Sequence, residues 1–310
     1  MEYILLFLGL FLLIKGADIF VDGASSVAAK FKVPSLIIGL TVVSFGTSAP
    51  EAAISVSASV SGSGSISLGN VIGSNFFNLL MVIGITALVI PLTADDEVLK
   101  RDMPAVILAT GALILIILDG VIGRLEAILL LAALAIYLFF VVRRAIGKPS
   151  EDGGRKEYPW VASALMILGG IGAVVFGGDV VVDNARAIAA DFGMSETLIG
   201  LTVVALGTSL PELVTSIVAA RKGESGIAVG NAVGSCLFNI LFILGITGAI
   251  KPIAVEAELI ADTMLLAIVS LVVCLFAAKG KRIGRIEGVV CIGLYVFYTA
   301  FIILRAYGFM

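Results

Sequence analysis

Two segments, Gly46-Thr47-Ser48-Ala49-Pro50-Glu51 and Gly207-Thr208-Ser209-Leu210-Pro211-Glu212, set a carboxylate beside hydroxyls in the middle of apolar sequence. A carboxylate inside a membrane-spanning stretch costs several kcal/mol unless it meets water, a partner or an ion. No Lys or Arg lies near either segment, so no ion pair is evident in sequence. Brought together, Glu51 and Glu212 would repel, and a cation or a shared proton must neutralise them. On a continuous helix Thr47, Ser48 and Glu51 share one face through i,i+4 and i,i+3 spacing. Pro50 cannot donate to the carbonyl of Gly46, nor Pro211 to that of Gly207. Carbonyls freed in this way persist in a membrane where they line a cavity or bind something.

A second pair of segments follows. Gly69-Asn70-Val71-Ile72-Gly73-Ser74 leads to Asn78, and Gly230-Asn231-Ala232-Val233-Gly234-Ser235 leads to Asn239. Ser74 and Asn78 are again i,i+4. The donor set is carboxylate, hydroxyl, amide and backbone oxygen, which suits Ca2+ with its six to eight oxygen ligands, or Na+. No imidazole exists in the chain, and the thiols are scattered, so a softer metal has no ligand set. Ser, Thr and Gly alone read as helix packing, and Pro alone as a kink. The recurrence of a whole hexapeptide with its mid-span Glu is what departs from packing. Asn70 and Asn231 read as helix caps. Asp18, Asp22, Asp179 and Asp183 read as interfacial groups toward span ends. Arg124 and Glu126, like Arg285 and Glu287, read as interface anchors.

The elements that carry these groups must sit in lipid. The chain has 310 residues, of which 60% are hydrophobic and 14% charged, against roughly 25% charged in a soluble domain. Its mean hydropathy is +1.15. A net charge of −3 points to no nucleic-acid partner. Cys236, Cys274 and Cys291 are an odd number in apolar stretches and read as packing residues. The stretch from Tyr3 to Phe20 lacks a basic n-region and is expected to be a retained span.

The chain repeats itself at an offset of 161 residues: 13 of 24 positions are identical between 35–58 and 196–219, and 11 of 23 between 69–91 and 230–252. Such a period is half a domain in size, the mark of a pseudo-symmetric transporter. Apolar spans are expected at about 3–21, 35–60, 67–91, 103–119, 124–143, 160–181, 196–219, 228–251, 260–279 and 284–305. The expected fold is therefore an all-α membrane protein, ten transmembrane helices as two inverted five-helix repeats, 1–143 and 160–310. An odd number of spans per copy turns the second copy upside down. Fifteen basic residues fall on the side holding the 144–159 linker and four on the other. The positive-inside rule then places that linker in the cytoplasm and both termini outside a cell-membrane protein. The linker is short and polar, a connector with no room for a regulatory domain.

The paired motifs Gly-Thr-Ser-x-Pro-Glu and Gly-x-x-x-Gly-Ser-x-x-x-Asn, present in both halves, resemble the alpha repeats of the sodium/calcium exchanger family. The likeness extends over the whole chain and is greatest to small exchangers without a large regulatory loop. It implies an antiporter, not an enzyme, that exchanges Na+ for Ca2+ by alternating access, without a cofactor or obligate protein partner. It implies Glu51 and Glu212 as central ligands, with oxygens from Thr47, Ser48, Thr208 and Ser209. Ser74, Ser235, Asn78 and Asn239 would complete the shell, and Ser44 and Ala205 would offer backbone carbonyls. Some relatives, including potassium-dependent exchangers, carry Asp where this chain has Asn239. Two formal charges instead of three argue against K+ co-transport, and three Na+ per Ca2+ would make exchange electrogenic. A proton-coupled exchanger of the same superfamily, a cation channel and an intramembrane hydrolase are the rival readings, in falling order.

Overall fold

The computed structural model describes residues 1–145, 156–193 and 205–306. Helix α1 (Glu2–Phe31) is followed by a bent pair, α2 (Ser35–Thr47) and α3 (Ala49–Val60), then α4 (Gly64–Val89), α5 (Met103–Ile117) and α6 (Arg124–Ala145). The second half has α7 (Trp160–Asp191), a helical turn Ala205–Gly207, α8 (Leu210–Arg221), α9 (Ser225–Ile250), α10 (Ala257–Ala278) and α11 (Arg285–Ala306). Among the described residues seven helices are long and apolar enough to cross a membrane, or eight if the bent pair counts as one. The chain is a helical, multi-pass membrane protein. Helix α5 has 15 residues and continues directly from a π-helical turn, Val98–Asp102. The expected seventh span lies partly outside the described residues, as does most of the linker.

Burial separates two shells. In α4 and α9, 78% of the apolar window is buried, against 17–33% in α1, α6, α7, α10 and α11. The outer helices turn Leu108, Leu125, Phe139, Leu168, Phe176, Leu275 and Phe297 outward, as lipid contact demands. The polar motif residues ride on the inner helices, where protein replaces lipid.

Helices α1 and α7 lie antiparallel with backbones in contact. A Cβ on Gly177 would meet the Leu13 nitrogen at 2.7 Å, and one on Gly170 would meet the Phe20 nitrogen at 2.7 Å. Small residues permit this approach, which is how membrane helices gain packing without a hydrophobic effect. Both run about ten residues past their apolar cores. Asp18, Asp22, Asp179 and Asp183 therefore sit within long helices and not at their ends. Lys222, just past α8, binds Asp18 and Asp22 at 2.8 and 2.5 Å.

Short antiparallel strand pairs join the halves. β1 (Leu92–Thr93) pairs with β4 (Arg282–Ile283), and β2 (Val121–Ile122) with β3 (Ile253–Ala254). The 161-residue offset carries β1 onto β3 and β2 onto β4, so each ladder is the image of the other. The same offset relates two π-helical stretches, Phe77–Val82 in α4 and Phe238–Ile243 in α9. Such stretches often mark functional positions.

Candidate functional site

A helix break just before Pro50 sets the site. Helices α2 and α3 meet at 48° across Ser48, because Pro50 occupies the first turn of α3 without a donor. Glu51 therefore stands in a helical first turn, as Glu212 does in α8. Helix N-termini favour negative charge there. The break also corrects the expectation that Ser48 shares a continuous helical face with Glu51. Ser48 Oγ donates instead to Glu212 Oε1 at 3.0 Å, and Ser209 Oγ donates to Glu51 Oε1 at 2.9 Å. Each carboxylate is held by the hydroxyl of the other half.

The rest of the cluster closes around this exchange. Ser209 Oγ reaches Ser74 Oγ at 3.3 Å, and Ser235 Oγ reaches Glu212 Oε1 at 3.5 Å. Thr47 Oγ1 donates to Asn231 Oδ1 at 3.0 Å. Ser44 is buried, and its carbonyl accepts the Ser48 N–H at 3.0 Å. Thr208 is half-buried. Ala205 opens the short helical turn, and its side chain lies outside the described residues.

Asn70 and Asn231 are not caps. They lie mid-helix, and their amides tie neighbouring helices together. Asn70 Nδ2 donates to the Glu51 carbonyl at 3.4 Å and to Ser55 Oγ at 3.0 Å. Asn231 Nδ2 donates to the Glu212 carbonyl at 3.1 Å and to Ser216 Oγ at 3.0 Å. The extra polar chemistry of this motif fixes the backbone that carries each Glu. Ser55 and Ser216 were not singled out from sequence, although the 161-residue offset pairs them.

Glu51, Glu212, Asn78 and Asn239 are fully buried. Among the described residues Glu51 Oε2, Glu212 Oε2, Asn78 Oδ1 and Asn239 Oδ1 have no hydrogen-bond partner. Buried acceptors left open are rare and costly, and carboxylate and amide oxygens are the donor types that a hard cation takes. No third acidic, histidine or cysteine side chain joins a metal-sized group among the described residues. The cluster carries two formal negative charges.

A cavity of about 290 Å³ reaches this cluster from one side. It touches Asn70, Gly73 and Ser74 at its inner end, and Tyr298, Asp262 and Arg305 elsewhere on its wall. Asp262 and Arg305 form a two-pronged ion pair at 3.0 and 2.7 Å. Neither residue stood out in the sequence, since Asp262 has no acidic copy in the first half.

A bundle of apolar helices around two buried acids and open oxygens defines a membrane protein that handles cations. The family described as "Sodium/calcium exchanger protein" matches residues 1–143 and 162–304. The chain belongs to the sodium/calcium exchanger family, whose members are antiporters and not enzymes. It is 37% identical over 312 residues to the putative antiporter CaxA of Alkalimonas amylolytica, covering 95% of this chain and 96% of that one. It is 33% identical over 348 residues to the sodium/calcium exchanger MaX1 of Methanosarcina acetivorans, covering 99% of each. A solved structure of the sodium-calcium exchanger NCX_Mj superposes with a TM-score of 0.86 at 33% identity, covering 97% of this chain and 98% of that one.

Proposed function

We propose that this chain exchanges Na+ for Ca2+ across the cell membrane by alternating access, electrogenically and without K+. The observation that carries the reading is the set of four open oxygens around Glu51 and Glu212. Ser44, Thr47, Ser48, Ser74, Ala205, Thr208, Ser209 and Ser235 supply or position the remaining oxygens. One Ca2+ neutralises the two carboxylates, and two or three Na+ do so comparably. The empty, ionised site resists enclosure in a dehydrated state, so only loaded carriers change facing. Asn239 supplies a neutral oxygen where an acid would add a third charge, which fits transport without K+.

The same proposal includes the architecture: ten spans in two inverted repeats, 1–143 and 160–310, with 144–159 in the cytoplasm and both termini outside. It is supported by the image-related strand ladders, π-helical stretches and crossed serine contacts. Binding at the junction of two such repeats is the general arrangement of inverted-repeat carriers.

The test is 45Ca2+ uptake into proteoliposomes preloaded with Na+, K+ or choline at one pH. Uptake only with internal Na+, and enhanced by an inside-positive potential, is the expected result. Uptake that follows a pH gradient and ignores Na+ would instead establish the proton-coupled reading. Ion conductance without a counter-ion would establish a channel.

A further inference from the structure

Asn239 can serve a cation only through its oxygen, because its amide nitrogen carries partial positive charge. Which end faces the site is decided by the group behind it. That group is Asn75, which is buried in α4 and has no amide counterpart in the second half. The 161-residue offset carries it onto Cys236, and these two image positions touch. Asn75 Nδ2 donates to the Cys236 carbonyl at 3.3 Å, and Cys236 Sγ approaches the Asn75 carbonyl at 3.9 Å. Asn239 Nδ2 donates to Asn75 Oδ1 at 3.0 Å.

A backbone carbonyl only accepts. The Cys236 carbonyl therefore fixes the nitrogen end of Asn75 toward itself and leaves Asn75 Oδ1 facing Asn239. That oxygen in turn requires the nitrogen of Asn239, and Asn239 Oδ1 is left pointing away from this pair, buried and without a partner. We infer that Asn75 is a positioning residue for transport: it relays the polarity of a backbone carbonyl to Asn239 and so presents the Asn239 oxygen to the cation. The inference rests on the site reading above and adds a residue to it.

The relay is one-sided. Asn78, the image of Asn239, would need an amide at 236 to be oriented in the same way. Cys236 cannot supply one, and both Asn78 Oδ1 and Nδ2 lack partners among the described residues. The oxygen end of Asn239 is fixed by its partner, whereas no hydrogen bond among the described residues fixes which end of the Asn78 amide faces the site. The arrangement matters because residue 239 is Asn. A carboxylate there would present an oxygen whichever way it turned.

That last point makes the test. Ca2+ binding is measured by calorimetry on the purified full-length protein in detergent, for wild type, Asn75→Ala, Asn239→Asp and the double variant. Asn75→Ala should raise the Ca2+ dissociation constant about tenfold when residue 239 is Asn, the scale of a lost orienting hydrogen bond beside a charge. In the Asn239→Asp background the same substitution should not weaken binding, since no amide remains to be oriented and the new carboxylate only meets the Asn75 oxygen. Asn75→Leu, closer in shape, replaces Asn75→Ala if the smaller side chain lowers the melting temperature. An equal effect in both backgrounds would assign Asn75 a merely structural role, and no effect in either would remove it altogether. A wild-type protein that binds neither Ca2+ nor Na+ would overturn the site reading and the relay together; intact wild-type binding with an unresponsive Asn75 variant would overturn the relay alone.

Discussion

Replacing Glu212 by Gln keeps the shape of the side chain and removes one of the two charges at the site. The surroundings make that charge matter. Glu212 is fully buried, one of its oxygens accepts a hydrogen bond from Ser48 Oγ at 3.0 Å, and the other is open. A Ca2+ ion at an oxygen-ligand distance of about 2.4 Å attracts a unit negative charge by about 14 kcal/mol at an effective dielectric of about 20. The Gln amide oxygen keeps part of this, and the variant is spared the burial of a bare carboxylate, itself several kcal/mol. A net loss of about 4 kcal/mol corresponds to about a thousandfold in Ca2+ affinity. The Glu212 side chain has no exposed surface through which water could make up the lost charge.

The assay is Na+-driven 45Ca2+ uptake by Glu212→Gln and, separately, Glu51→Gln, with a melting curve for each in ion-free detergent. Coupled uptake should fall below detection in both. The melting curves separate loss of function from loss of fold. With no cationic side chain paired to either acid among the described residues, removing one buried charge should raise the ion-free melting temperature, by about 2 kcal/mol of stability. The stabilisation that Ca2+ gives the wild type should disappear in the variants. Coupled uptake with an apparent Ca2+ affinity within threefold of wild type in either variant would refute the argument that these charges bind the transported ion.

Four further outcomes follow from contacts within the fold. Ser48→Ala should weaken Ca2+ binding by more than about tenfold by releasing Glu212, and Ser209→Ala should do likewise through Glu51, each the scale of one hydrogen bond to a charged group; calorimetry checks both. Gly234→Ala should destabilise the fold by about 1–3 kcal/mol, because its Cβ would stand 2.7 Å from Ser44 Oγ and 2.9 Å from Leu40 Cα, while Gly73→Ala, with nothing described within 4 Å, should leave the melting temperature unchanged or higher. Asp262→Ala should cost about 2 kcal/mol of thermal stability, less than a fully buried pair would because the Arg305 side chain is 25% exposed. Lys281 and Lys100 hold the Asp96 carboxyl down to about 2 from an ordinary 3.8, so its small contribution is present above pH 3.8 and lost as pH falls toward 2; the acid limb of the melting profile should flatten in Asp96→Asn.

Much of the site was legible because it is written twice. The two hexapeptides, the two acids and the hydroxyls around them stand out by repetition, and the structure gathers most of them into one cluster. Repetition also explains what was missed. Asn75 is an amide in one half and a thiol in the other, so comparing the halves passes over it, and Asp262 lacks an acidic copy in the same way. Helical spacing placed Ser48 with the Glu51 of its own hexapeptide; the bend at Ser48 hands it to the other half, and pairing across halves leaves no mark in local spacing. Asn70 and Asn231 were read as caps from a residue-type preference, whereas the carbonyls they satisfy belong to other helices. Apolar runs located the cores of α1 and α7 and ended them too soon.

The crossed contacts also bear on why exchange would be obligatory. A carrier whose halves move against each other needs the movement to depend on the bound ion. Ser48 holds Glu212, Ser209 holds Glu51, Thr47 holds Asn231, and Asn239 holds Asn75, every one of these bonds joining the first half to the second. Glu51, Glu212 and Asn239, three of the groups proposed to face the cation, thus also bridge the halves. With the site empty, two buried charges repel across that bridge, and the hydrogen bonds that span it must carry the strain alone. A bound cation draws both carboxylates to itself, relieves the repulsion and leaves the hydroxyls free to keep their contacts. In the proposed mechanism neutralisation and closure would be a single event, and an unloaded carrier would have no low-energy path between its two facings.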